Sequence, residues 1–438
     1  MGDTGQNITT STDGTSGRGR AWSWIPTLYF AEGLPYILVM SVSVVMYKNL
    51  DVSNADLALY TSWLYLPWVI KPIWSPIIDS IRTKRIWILA TQFLIGAGLA
   101  GVALMIPADA FFRWTLVFFW LVAFSSATHD ISADGFYMLG LGESDQAFFV
   151  GIRSTFYRIA VIAGQGGLVF LAGMLAERTG SFELAWATAF YVAAGAMLLV
   201  FLYHIRSLPR PAADDSRSVS SVAQLGREVT DTFVSFFRKE GIGPAILFLL
   251  LYRFSEGQLA KMAAPFLLDA PADGGLGLTT AEVGLVTGTV GVLGLVAGGI
   301  LGGMAVSAKG LRYWLWPMVL AINVPNVVYV LLAFAQDPGF IWVTVAVAVE
   351  QFGYGFGFTA FMMYMIYVAD GPRKTSHFAV CTGIMALGMM LPGMISGALQ
   401  DILGYQLFFV WIVAATIPSF LAARFIRIDP SFGTSDVS

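Results

Sequence analysis

The run Ser125-Ser-Ala-Thr-His129-Asp130-Ile-Ser-Ala-Asp134-Gly135 places two acids four residues apart, so a helix presents Asp130 and Asp134 on one face above Ser126. A short polar break, Gly142 to Gln146, follows. The chain then resumes as a second apolar run, reaching Gln165, that carries Arg153 and Arg158. Ionisable groups inside a bilayer cost several kcal/mol and mark pathways or gates. Two acids and two arginines on consecutive apolar helices therefore point to a guarded path through a membrane.

The composition agrees. Hydrophobic residues make up 57% and charged residues 12%, outside the range of an average soluble domain. The net charge of −3 is uninformative beside the way the charges are distributed. A single cysteine, Cys381, excludes an internal disulfide, and His129, His204 and His377 are too scattered for a metal site. Residues 1–21 are rich in Gly, Ser, Thr and Asp and read as a disordered tail. The first apolar run starts late and lacks a small-residue cleavage site, which argues against a signal peptide.

A membrane helix needs about 20 mostly apolar residues. Twelve segments qualify. Six lie near Trp22–Lys48, Ala55–Asp79, Ile86–Ile106, Phe111–Leu141, Ala147–Ala176 and Leu184–Ile205. Six more lie near Gly241–Leu268, Ala281–Val306, Arg312–Ala335, Gly339–Ala369, Thr375–Leu399 and Tyr405–Ile426. A charged connection, residues 206–240, separates the sets, and Val219 to Lys239 is expected to form an amphipathic helix on the membrane surface. Of the 25 Lys and Arg residues, only Lys48, Arg113 and Arg178 fall in loops on one side. Lys71, Arg153, Arg158, Arg253 and Lys261 lie within segments, and the rest gather on the other side with both termini. That bias makes the basic side cytoplasmic. The expected domains are the tail 1–21, a six-helix bundle 22–205, the connection 206–240, a second bundle 241–427 and a cytoplasmic tail 428–438.

The bundles repeat. Leu28-Tyr-Phe-Ala-Glu32-Gly33 is echoed, with a one-residue slip, by Leu251-Tyr252-Arg253-Phe-Ser-Glu256-Gly257. The loops Ser75-Pro-Ile-Ile-Asp79-Ser-Ile-Arg82-Thr-Lys84-Arg85 and Gly303-Met-Ala-Val-Ser307-Ala-Lys309-Gly310-Leu-Arg312 sit at nearly the same offset. Both resemble the Gly-x-x-x-Asp-Arg-x-Gly-Arg loop of the major facilitator superfamily, whose two halves are related by an axis along the membrane normal. Phe30-Ala-Glu-Gly-Leu-Pro35, Leu66-Pro-Trp-Val-Ile-Lys71-Pro-Ile-Trp-Ser-Pro76 and Ala127-Thr-His-Asp130-Ile-Ser-Ala-Asp134 resemble the AmpG-type permeases of that superfamily. Tyr157-Arg158 and Glu350-Gln-Phe-Gly-Tyr-Gly fit the same pattern, while His129 and Gly135 depart from it. The resemblance implies an all-α membrane protein, twelve transmembrane helices in two pseudo-symmetric six-helix bundles. It also implies proton-driven import of muropeptides, the anhydro-sugar peptides released from the cell wall, across a bacterial inner membrane.

Glu32 lies about 15 Å into its helix, counted from Trp22, and Tyr29 and Tyr36 share its face. Glu32, Glu256 and Glu350 are the expected proton-coupling acids, since burial favours their protonated form. Tyr29, Tyr36, Arg158, Gln165 and Tyr252 are expected to line the substrate path. Asp79, Arg82, Arg85, Asp130, Asp134 and Arg153 are expected to gate it, with Asp130 and Arg153 matched in depth and so paired. Lys71 and Lys261 are expected to snorkel toward the interfaces, and Arg253 is a weaker candidate than Arg158. His129 beside Asp130 is a candidate proton relay on a different face. The glycines of the eighth segment, Gly284 to Gly303, are expected to let helices approach closely.

No hydrolase, metalloprotease or nucleotide-loop motif supports an enzyme, and no soluble domain supports a receptor. The expected protein is a secondary transporter, with another sugar, peptide or drug as the alternative cargo. Its partners are a small-molecule substrate, protons and the bilayer, with no nucleic acid, no metal and no cofactor, and it is expected to work as a monomer.

Overall fold

The computed structural model describes residues 19–211, 214, 222–335 and 337–433. Most of the N-terminal tail and the last five residues lie outside that range. All the regular structure among the described residues is helical. Span α1 is Gly19–Asn49, α3 is Lys84–Met105, α4 is Phe111–Gly140, α5 is Ser144–Thr179, α6 is Phe182–Ser207 and α10 is Phe340–Ala369. Thr280–Ala335 and Lys374–Phe425 are each two spans, α8 with α9 and α11 with α12, parted at Gly310 and Gly404. At these corners φ is 78° and 70°, with ψ at 161° and 164°, a region open only to glycine. Two further spans come in two pieces. They are α2, Asn54–Trp63 and Leu66–Ser80, and α7, Ile242–Leu251 and Phe254–Leu268. This makes twelve spans among the described residues.

The break in α2 follows from Pro67, which has no N–H to offer the carbonyl of Trp63. The break in α7 centres on Arg253, whose φ of −112° and ψ of 23° are not helical. Three spans loosen into π turns at Leu38–Val42 in α1, Ile162–Leu168 in α5 and Gly284–Gly291 in α8. Such turns inside helices gather at functional sites.

The repeat seen in the sequence has a packing counterpart. A Cβ at Gly33 of α1 would lie 2.8 Å from the Tyr157 carbonyl of α5, and one at Gly257 of α7 would lie 2.9 Å from the Met389 carbonyl of α11. Each glycine lets the first helix of its half press against the fifth. The halves meet along α2 with α11 and α5 with α8.

At one face the halves are latched. Lys48 Nζ lies 2.6 Å from Asp269 Oδ1, and the Tyr405 hydroxyl donates to Asp269 Oδ2 at 2.6 Å. Asn54 Nδ2 donates to Gln400 at 2.7 Å and to Tyr405 at 3.0 Å, and Lys48 donates to the Asn54 side-chain oxygen. Thr280 donates to Asn49 beside them. Among the described hydrogen bonds and ion pairs, all that join the two spanning halves lie toward this face, the deepest being Lys261 to Thr61. The opposite face carries the connection. Its helix, Val222–Phe237, does not lie free on the bilayer: Phe236 is fully buried against the second half, and Ser235 pairs with His377 of α11 at 3.0 Å.

Candidate functional site

Midway through the first half, α1, α2, α4 and α5 bring five ionisable groups together. Arg153 Nη1 donates to Asp134 Oδ1 at 3.1 Å and to the Tyr29 hydroxyl at 2.9 Å. The Tyr29 hydroxyl donates in turn to Asp134 at 3.3 Å, and the guanidinium lies 5.1 Å and 5.0 Å from the ring centres of Tyr29 and Tyr137. Asp130 faces α2 instead: Lys71 Nζ is 3.6 Å from its Oδ2, and Trp68 Nε1 donates to the same oxygen at 3.0 Å. The Asp130–Arg153 pair expected from equal depth is thus replaced by two pairs, and Lys71 does not snorkel. The cause is length. At 1.5 Å per residue the 30 residues of α4 span about 45 Å, more than a bilayer core of about 30 Å, so a residue count from one assumed boundary does not fix the height of Asp130 against Arg153.

Glu32 sits among these pairs, in the field of Asp134, Asp130, Lys71 and Arg153, and its Oε2 is buried without a hydrogen-bond partner among the described residues. Three carboxylates therefore share two cations. The second half carries a similar imbalance. Glu256 and Glu350 are buried close to one another; Glu350 accepts from Gln351 at 3.0 Å, and Glu256 Oε2 has no partner. Arg253 is the cation near Glu256.

Other expected residues fall elsewhere. Tyr252 is fully buried, donates to the Gly357 carbonyl at 2.9 Å and stacks on Phe361, which makes it part of the second half's core and not of a path. Gln165 is half-buried at the α5–α8 crossing. Arg158 is half-buried beside Tyr157 and Tyr354, with no hydrogen bond or ion pair from its guanidinium among the described residues. The side chain of Asp79 lies outside the described set. Arg82 is exposed in the loop with a φ of 65°. Arg85 turns to the start of the connection: its amide donates to Asp214, and its Nη2 donates to the Ile205 carbonyl at 2.6 Å.

His129 does not relay to Asp130. It pairs with Gln92 at 3.0 Å, Gln92 with His204 at 3.0 Å, and His204 with Thr27 at 2.8 Å, on a different face of α4. Lys261, also expected to snorkel, is buried, donates to Thr61 at 3.0 Å and caps the Tyr65 ring at 5.4 Å. Trp68 and Tyr65 were missed because aromatic residues are common at membrane interfaces and carry no local signal of depth.

Two six-span halves, joined by hydrogen bonds and an ion pair toward one face among the described residues and with unbalanced charge buried inside each, have the form of a membrane transporter. The family model described as Major Facilitator Superfamily matches residues 27–376, and the chain belongs to that superfamily of secondary transporters. The chain is similar to the anhydromuropeptide permease of Escherichia coli K12, at 26% identity over 401 residues, covering 90% of this chain and 77% of that one. A Rickettsia conorii protein bearing the name AmpG is 21% identical, over 91% of this chain and 95% of its own. The resemblance drawn from the motifs thus holds across the chain. In fold it is similar to the nucleoside transporter NupG, with a TM-score of 0.70 at 15% identity over 94% and 100% of the two chains. It is also similar to a D-xylose–proton symporter, at 0.69 and 12% over 93% and 96%.

Proposed function

We propose that this chain imports muropeptides or closely related sugar-peptides across a bacterial inner membrane, with protons moving in the same direction. In this proposal it works as a monomer, and the bundles 22–205 and 241–427 rock about the site. The basic-residue bias puts the connection face and both termini in the cytoplasm, so the latched face is periplasmic. The names of the relatives support the cargo.

The observation that carries the coupling is Glu32, held without a hydrogen-bond partner on Oε2 between the Asp130–Lys71 and Asp134–Arg153 pairs. Three acids against two bases balance when the cluster holds one proton. A proton taken up at Glu32 frees the pairs to rearrange, and one released toward the cytoplasm restores them. Glu256 and Glu350, buried together in the second half, are the corresponding acids there.

Proteoliposomes holding the purified chain and an imposed pH gradient test this. Radiolabelled anhydromuropeptide should accumulate when the outside is acidic, and Glu32→Gln should keep exchange but lose uphill uptake. Accumulation that ignores the gradient removes the coupling, and absence of any uptake removes the cargo.

A further inference from the structure

Arg253 was expected to be a weaker candidate than Arg158, yet it is buried against specific partners from another span. It sits at the break of α7, about 17 Å from the start of Ile242–Leu251 at 1.5 Å per residue. Broken membrane helices mark binding sites because the freed backbone and the side chains at the break face the centre of the protein. Its relative exposure is 9%. The guanidinium lies between two rings of α10, its carbon 5.1 Å from the centre of Tyr354 and 5.0 Å from that of Phe358, with Nη2 donating to the Tyr354 hydroxyl. From the other half, Tyr36 of α1 and Tyr65, at the break of α2, lie within its electrostatic reach.

What Arg253 lacks among the described residues is a carboxylate in direct contact. Glu256 is near but not within ion-pair distance, and among the described residues Arg253 forms no ion pair with any carboxylate. Its Nε is buried without a hydrogen-bond partner among the described residues. A buried guanidinium lacking a carboxylate is costly unless something supplies the charge. Arg158 of α5, also unpaired, approaches Tyr354 from the first half. Each half thus contributes one arginine without an ion pair among the described residues, and the planar forks of both suit carboxylates.

We propose that Arg253, aided by Arg158, is the anion-binding centre for the cargo, taking a peptide carboxylate between the halves while the acid-rich cluster around Glu32 handles the proton. This rests on the proposed sugar-peptide cargo. It adds the group that is recognised and the residue that recognises it. A carboxylate held by both arginines ties the halves together as a proton alone does not.

Equilibrium binding to the purified full chain in detergent tests it, using an anhydromuropeptide with a free C-terminal carboxylate and the same compound as its amide. The wild type should bind the acid at least about tenfold more tightly than the amide. Arg253→Gln should bind the two within about twofold of each other, and Arg253→Lys should fall between. Amide affinity equal to the wild type shows that Arg253→Gln is folded. Equal binding of acid and amide by the wild type, or discrimination kept by Arg253→Gln, overturns the proposal. A wild type that binds neither compound removes the cargo reading. The anion site is then judged by melting shifts with the dipeptide Ala-Glu and its fully amidated form. A shift with the free acid alone that Arg253→Gln lacks supports the site, and equal shifts overturn it.

Discussion

Arg153 meets Asp134 at 3.1 Å, one helical turn beyond Asp130, and Tyr29 bonds to both partners. The pair joins α4 to α5, and its side chains are 32% and 47% exposed. Exposed pairs of this kind contribute about 1 kcal/mol or less to stability. Arg153→Asp and Asp134→Arg should each lose most transport with little change in melting temperature. The exchanged double variant should recover part of it, whereas exchanging Asp130 with Arg153 should not. Uptake assays beside a melting curve decide this. Rescue by the Asp130 exchange alone counts against the pairing.

Lys71 and Asp130 are more enclosed, at 23% and 16% exposure, and Trp68 holds the same carboxylate oxygen. Deleting one partner strands the other charge away from water. Lys71→Met should cost about 2–4 kcal/mol, and Lys71→Met with Asp130→Asn should regain much of the loss because no charge is left unpaired. Thermal melts of the three proteins give the answer. A Lys71→Met variant that melts with the wild type means that the lysine reaches the interface after all.

The latch at Asp269 makes a different prediction. This carboxylate accepts from Lys48 and Tyr405, and through them from Asn54, so one side chain collects bonds from both halves. Asp269→Asn should shift the population toward the state open at this face by about 1–3 kcal/mol, the usual scale of such couplings. Spin labels at Asp56 and Asp273 should report a larger share of long distances. An unchanged distribution shows that packing of α2 on α11 holds the face closed without the latch.

The twelve spans were legible because hydropathy over a bilayer's thickness needs no knowledge of neighbours; α4, for example, starts and ends within a residue of its expected bounds. Position within an apolar run was legible too, which is why Glu32 and Asp134 appear as site candidates, although matching depths across helices paired Arg153 with the wrong acid. Partner choice was not. A face is counted at about 100° per residue, and that count fails after a π turn or a break. Arg158 precedes the π turn of α5, and Lys71 follows the break of α2, so ideal wheels describe the first better than the second. Arg253 sits at a break itself, where no wheel applies. Tyr252 was misassigned by the same logic: one residue from Arg253, it turns into the core against Phe361.

The crossing of α5 and α8 supplies the sharpest test of how the halves move. A Cβ at Gly288 would lie 2.2 Å from both the Gln165 carbonyl carbon and the Gly166 amide nitrogen, and one at Gly166 would lie 3.1 Å from the Gly288 carbonyl oxygen. Both residues are in π turns, so two locally loosened backbones touch at the interface between halves. The obstructing atoms are backbone, and no rotamer change can relieve a clash. Gly288→Ala must push the spans apart, at a cost of about 1–3 kcal/mol in packing. The contact is also where the halves would pivot, so transport should fall further than stability, by roughly tenfold or more for that energy. Gly303 on the same helix has open space around the position of a Cβ, and Gly303→Ala should leave both properties near wild type. Uptake rates and melting temperatures of the two variants form a matched comparison. Wild-type uptake by Gly288→Ala would show that the halves do not rely on this close approach, and an equal loss in Gly303→Ala would point to helix propensity and not to the crossing.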